Sequence, residues 1–360
     1  MRKTLALATV VLAGTAATAA PAGAPLLSSE AAPPLSRLVG QKLVVSMNGT
    51  WPSASLISRA HHGTIGGVLI HKWNFTSAEN LRGIAARLQQ AAAAGGQRKL
   101  LIAVDQEGGP VKTISWIPPT ISPSRLGELD SRYKARRQGR RTGAALRDLG
   151  VNTDFAPVAD VPATKSSFMY LQGRTWSFSA ATTSRLANAF ALGLGDRGAL
   201  ASMKHFPGLG YALRNTDTNV VRIDATAAQL APGLRPYRAA VANGVPLVML
   251  SNAVYTAYDA HNAAGWSRRI AHGLLRSDLG FRGVTITDSL DGAAGARGVA
   301  TDRLAIRAAR AGTDLLLLTG SEASSRHVYK SLLAAASAGT IRHTRLVTSF
   351  NRIQALKTAL

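Results

Sequence analysis

Apolar residues along this chain gather into short runs set between longer amphipathic stretches. Eight runs read as strands: residues 41–47, 66–71, 100–105, 151–158, 199–205, 246–252, 284–288 and 314–319. Several are apolar without alternation, the pattern of parallel strands buried on both faces. The stretches 54–60, 77–93, 125–149, 180–197, 225–243, 267–279 and 301–311, and a closing segment from Ser321, carry the spacing of helices. Eight strands alternating with helices predict a (β/α)8 TIM barrel, a single domain over residues 36–355. A doubly wound sheet is the runner-up. No Gly-x-Gly-x-x-Gly follows a strand to support it, and Gly108-Gly109 is too short for that fingerprint.

In a barrel the chemistry belongs at the C-terminal ends of the strands. Those ends carry Asp105-Gln106-Glu107, Asp160, Lys204-His205, Ser251-Asn252 and Asp288. One polar strand end is ordinary capping. Five converging on one face predict a site for a ligand rich in hydroxyls. Lys204-His205 is the sharpest signal, because an apolar run stops there at a Pro/Gly loop and two polar side chains are costly to bury unpaired.

Residues 1–24 have the form of a secretory signal peptide: Arg2 and Lys3, an apolar stretch over 5–17, then Ala17-Thr-Ala19 and Ala22-Gly-Ala24. A Pro/Ala/Ser-rich linker follows over 25–35. No other stretch approaches transmembrane length, so the expected location is outside the cell or on its wall. The absence of cysteine excludes disulfides, thiol catalysis and thiolate metal sites.

Lys+Arg number 42 against 19 Asp+Glu, a net charge of +23 that calls for a polyanionic neighbour or reflects compositional bias alone. There is no nucleic-acid-binding motif, and few aromatics stand ready to stack bases, so nucleic acid is not the expected partner. Outside a cell the matching polyanion is anionic wall polymer. The eight histidines show no metal-ligand spacing, and no nucleotide or flavin motif is present, so neither metal nor cofactor is expected.

The strand ends resemble, in order, the motifs of glycoside hydrolase family 3, especially its single-barrel β-N-acetylglucosaminidases. The matching segments are Leu101-Ile-Ala-Val-Asp105-Gln-Glu-Gly-Gly109, Gly150-Val-Asn-Thr-Asp-Phe-Ala-Pro157-Val-Ala-Asp160, Gly173-Arg174-Thr-Trp-Ser-Phe and Lys204-His205-Phe-Pro-Gly208. Further on come Leu275-Arg-Ser-Asp-Leu-Gly-Phe281-Arg-Gly283-Val-Thr-Ile-Thr-Asp288 and Ala309-Arg-Ala-Gly312-Thr-Asp314. The resemblance implies a retaining hydrolase acting on amino-sugar or wall-derived glycosides, with Asp288 as the nucleophile. It also implies that Asp105, Arg174, Lys204 and His205 hydrogen-bond sugar hydroxyls. Asp160 is left with two roles, sugar contact or the satisfaction of loop N–H groups.

The chain departs from the family pattern at two places. Where the glucosaminidases carry Asp-x-His, with the His as general acid/base, this chain has Asp217-Thr218-Asn219. Asparagine cannot titrate, and loss of one general acid costs about 10²–10⁴ in rate. Asp217 is then the candidate acid, with His261, His61 and His62 as further candidates. A carbohydrate-binding protein that has lost catalysis is the alternative. The family's Arg residues after Gly-Gly are Pro110 and Thr113 here, with Lys112 a partial substitute one position out of register.

Overall fold

A computed structural model describes Met1 and residues 33–360. The expected export signal and nearly all of the expected linker lie outside the described residues, and Leu35 already opens a short helix, Leu35–Gly40. All eight expected strands are present. They are β1 (Leu43–Ser46), β2 (Gly67–Leu69), β3 (Leu101–Val104), β4 (Thr153–Asp154), β5 (Leu200–Phe206), β6 (Leu247–Leu250), β7 (Val284–Thr287) and β8 (Leu316–Leu318). Each pairs in parallel with its neighbour in sequence, and β1 pairs with β8 through Leu43 and Leu316. A bridge between Ile286 and Leu315 joins β7 to the start of β8 and closes the ring.

The runs lack alternation because both faces of each strand are buried. Val44, Leu101, Ala103, Leu247, Met249 and Ile286 belong to the cluster that fills the barrel. Leu43, Val45, Ile102 and Val104, one residue away, belong to the larger cluster under the helices. Ile353 and Leu356 of the last helix, His343–Lys357, join the interior cluster and plug its N-terminal mouth.

The helices follow the expected pattern with three corrections. The stretch 125–149 is two helices, Pro123–Leu129 and Arg132–Asp148. Asp130 breaks it in the left-handed conformation (φ 45°), and the Ser131 side chain caps the second helix by accepting from the Lys134 N–H. The stretch 225–243 is three pieces, Ala227–Leu230, a 3-10 turn at Ala231–Leu234 and Arg235–Ala242, with Pro232 and Pro236 at the starts of the last two. The stretch 267–279 is wound as a π-helix over Arg269–Asp278. Three helices had no signal in the pattern: the short Leu35–Gly40 and Phe168–Leu171, and Leu290–Arg297, which has two glycines in eight residues and is capped by Ser289, the residue after Asp288.

Candidate active site

At the C-terminal end of the barrel a cavity of about 220 Å³ is lined by Asp105, Arg174, Lys204, His205, Asp217 and Asp288. These six candidate residues therefore share one cavity. Two local devices put them there. Beyond β3 the chain stays extended as one arm of a hairpin, so Asp105 and Glu107, two residues apart, reach the same side. Gln106 turns away, and its amide donates to the carbonyls of Ile114 (2.9 Å) and Pro118 (3.0 Å). On β5 the adjacent Lys204 and His205 both line the cavity, which regular pleating forbids. The pairing explains it: Met203 faces Val248 but Phe206 faces Leu250, so one extra residue bulges from β5.

Lys204 and Arg174 clamp two carboxylates. Lys204 Nζ lies 2.6 Å from Asp105 Oδ1 and 2.7 Å from Glu107 Oε1. Arg174 donates through Nε (2.8 Å) and a terminal nitrogen (2.6 Å) to the two Glu107 oxygens. Burial alone would raise the Glu107 carboxyl, but Arg174 and Lys204 outweigh it and hold it at about 2. Burial likewise pulls Lys204 down, and Asp105 and Glu107 more than reverse it, so the ammonium persists. Glu107 is thus the buried anchor of the cluster, while the Asp105 side chain stays one-third exposed to receive a ligand.

Asp160 holds His205. Its Oδ1 accepts the backbone N–H groups of His205 (3.2 Å) and Leu209 (2.7 Å), and its Oδ2 is 2.8 Å from His205 Nδ1. A carboxylate that accepts on both oxygens makes Nδ1 the protonated nitrogen and leaves Nε2 for the cavity. Asp160 itself is fully buried and does not line the cavity, which decides its role as positioning.

Asp288 and Asp217 are two carboxyls in unlike surroundings. Asp288 Oδ1 accepts the Ser289 N–H at 2.8 Å, at the start of the helix Leu290–Arg297. Asp217 packs against that helix at Gly292, where an added Cβ would lie 2.9 Å from the Asp217 Cβ, so only glycine admits the loop. Asp217 Oδ1 is buried with no hydrogen-bond partner. Burial first, and then the charge of Asp288, push the Asp217 carboxyl up to about 7, against the opposing pull of His205 and Arg174.

The remaining candidates fall elsewhere. Asn219 is tied into its own loop, donating to Asn215 O (3.2 Å) and Thr218 Oγ1 (3.0 Å), and does not line the cavity. His61, His62 and His261 are exposed and outside it. Lys112 donates to Ser115 O (2.9 Å) and does not reach the site. Thr113 acts on the backbone, its hydroxyl donating to Asp105 O at 3.0 Å. Two ionisable residues of the cavity had no role assigned from the sequence, Glu107 and His71. The spacing of Glu107 from Asp105 carried the signal for the first. His71, at the end of β2, is held by Ser46 Oγ at 2.7 Å, and burial lowers its pKa against the pull of Asp105.

Comparison with known sequences decides the family. The sequence model of the Glycosyl hydrolase family 3 N terminal domain matches residues 38–356. The chain belongs to glycosyl hydrolase family 3. It is 35% identical over 360 residues to an uncharacterized secreted glycosyl hydrolase of Arthroderma benhamiae, covering 98% of this chain and 99% of that protein. A beta-hexosaminidase of Stenotrophomonas maltophilia is 31% identical over 261 residues, covering 70% of this chain and 75% of that one. Among solved structures, the family 3 β-N-acetylglucosaminidase from a Paenibacillus species superposes with TM-score 0.86 at 29% identity. That match covers 91% of this chain, which spans 63% of the Paenibacillus enzyme. The β-N-acetylhexosaminidase of Beutenbergia cavernae gives 0.82 at 29% identity, covering 91% of this chain and 99% of that one. This family 3 chain therefore has the (β/α)8 fold expected of it.

Proposed function

We propose that this chain is a secreted, retaining β-N-acetylhexosaminidase acting on amino-sugar glycosides derived from cell walls. The observation that carries the reading is the contrast between Asp217 and Asp288 inside one cavity. Asp288, held by a backbone N–H, attacks the anomeric carbon and forms a glycosyl ester as the glycosidic bond breaks. Asp217, protonated up to about pH 7, gives its proton to the departing oxygen. It then takes a proton from the water that cleaves the ester, which releases the sugar and restores both groups. Asp105, Arg174, Lys204 and His205 hold the sugar hydroxyls. Kinship to beta-hexosaminidases supports the substrate class, and likeness to a secreted glycosyl hydrolase of Arthroderma benhamiae supports secretion.

A nitrophenolate departs without protonation, whereas a sugar alkoxide requires an acid. The expected result is cleavage of both nitrophenyl N-acetylglucosaminide and the natural disaccharide, with a fluoro-sugar labelling Asp288. Label on another carboxylate, read by mass spectrometry, refutes the nucleophile. Cleavage of the nitrophenyl substrate alone refutes Asp217 as acid. Sugar binding with turnover of neither leaves the carbohydrate-binding alternative.

Anionic wall polymer is the proposed neighbour of the outer surface. Arg132, Arg136, Arg137, Arg140, Arg141 and Arg197 line a groove of about 670 Å³ on that surface. Among the described residues only Asp196 forms a salt bridge with any of them, meeting Arg136 at 2.8 Å and Arg140 at 3.9 Å. Retention on isolated wall should fall steeply as salt rises, since exposed charges are screened over about 8 Å at physiological ionic strength.

A further inference from the structure

The chain has five tryptophans. Trp176 and Trp266 are buried, whereas Trp51, Trp73 and Trp116 are 53%, 61% and 55% exposed. All three exposed ones stand on the loops that follow β1, β2 and β3, at the end of the barrel where the cavity lies. Trp51 packs outward, over Gly83. Trp73 is next to the site and fixed in place. The Trp73 indole lies flat on the His71 ring, centroids 4.5 Å apart and planes 8° from parallel, and His71 lines the cavity. The loop beneath is clamped by the buried Asn74, which donates to Met47 O (3.0 Å) and Gly49 O (2.7 Å) and accepts from the His71 N–H (2.9 Å). Trp116 meets the edge of the Phe75 ring at 5.6 Å.

A flat aromatic face left in water beside a polar cavity is unfavourable unless something amphipathic covers it. The size of the cavity says what does. At about 30 Å³ per water its 220 Å³ equals about seven waters, room for one hexosamine ring and not two. A longer glycan must cross the rim. Sugars with equatorial hydroxyls present C–H faces to an indole and keep their polar edges in water.

We infer that Trp73, stacked on His71, is the platform for the sugar next to the one held in the cavity. The inference rests on the glycoside-hydrolase reading. Its test compares N-acetylglucosaminyl fluoride, which has no second ring, with the β-1,4-linked disaccharide. Trp73→Ala should raise KM for the disaccharide about tenfold relative to the fluoride, equal to about 1.4 kcal/mol, and Trp73→Tyr should retain most of the difference. An unchanged ratio of the two KM values in Trp73→Ala overturns the platform. If the wild-type protein turns over neither compound, the hydrolase reading fails separately. The platform is then judged by fluorescence titration with the trisaccharide: binding weakened about tenfold in Trp73→Ala supports it, and equal affinity overturns it.

Discussion

The two ends of the barrel use the same kinds of residue to opposite effect. At the N-terminal end Asp314 is fully buried and saturated. It accepts from Arg276 (2.5 Å), Arg352 (3.3 Å), the Thr285 N–H (3.0 Å) and the Thr285 hydroxyl (3.1 Å). Lys42 nearby donates to the carbonyls of Thr313 and Asp314, both at 2.8 Å, and burial draws its pKa down to about 8. At the C-terminal end Asp217 keeps an oxygen without a partner, and Asp105 stays open to solvent. A carboxylate with every acceptor position filled is structure. One with a vacancy facing a cavity is available for chemistry.

The sharpest break between the two ends is a pair of substitutions. Asp288→Asn should lower turnover of aryl glycosides by several orders of magnitude and leave the melting temperature near wild type. Asp314→Ala should do the reverse. It strands Arg276 in the interior and should cost about 3–5 kcal/mol in urea unfolding, while folded enzyme keeps its turnover number. Loss of activity from both without loss of stability from either would erase the distinction.

The next effect concerns Asp217 alone. Asp217→Asn should slow disaccharide cleavage by about 10²–10⁴ and slow nitrophenyl glycosides far less. An acid is competent only while protonated, so wild-type kcat/KM for the disaccharide should fall as pH rises through about 7. A pH profile that is flat there in wild type assigns the acid elsewhere. Asn219→His should restore little, because position 219 does not line the cavity.

The smallest effect lies under the site. Asp154 on β4 is buried, accepts one bond from the Gln106 N–H at 2.9 Å, and has Oδ2 unpartnered. Burial raises its pKa to about 8. Its folded pKa exceeds the unfolded value of about 3.9, so holding the proton destabilises the fold progressively from about pH 4 to pH 8. Asp154→Asn removes the titration. Its melting temperature should gain on wild type by a few degrees across that window, and equal curves at pH 5 and pH 8 would show that the group does not titrate there.

Much of this was readable in the residues. Strands buried on both faces leave unbroken apolar runs, and their polar ends announced Asp105, Lys204, His205 and Asp288. The rest depended on neighbours far away in sequence. Asp160 and Asp288 both end strand segments, and only the ring of donors around Asp160 shows that it serves His205. Lys204 and His205 share a face because of a bulge that β6 reveals and β5 alone does not. The helix Leu290–Arg297 is set by the Ser289 cap rather than by apolar spacing, and Asp130 halves a pattern that reads as one helix.

The closure of β1 on β8, through Leu43 and Leu316, has a consequence for the timing of folding. The first strand to be synthesised waits for one of the last, and the interior stays unplugged until Ile353 and Leu356 arrive. Contacts between strands this far apart in sequence are slow to form, because the loop they close is long. A chain stopped short of that final helix would hold every residue that lines the cavity and still lack the apolar cork beneath it. The helix His343–Lys357 thus completes the apolar interior at one end of the barrel without lining the cavity at the other.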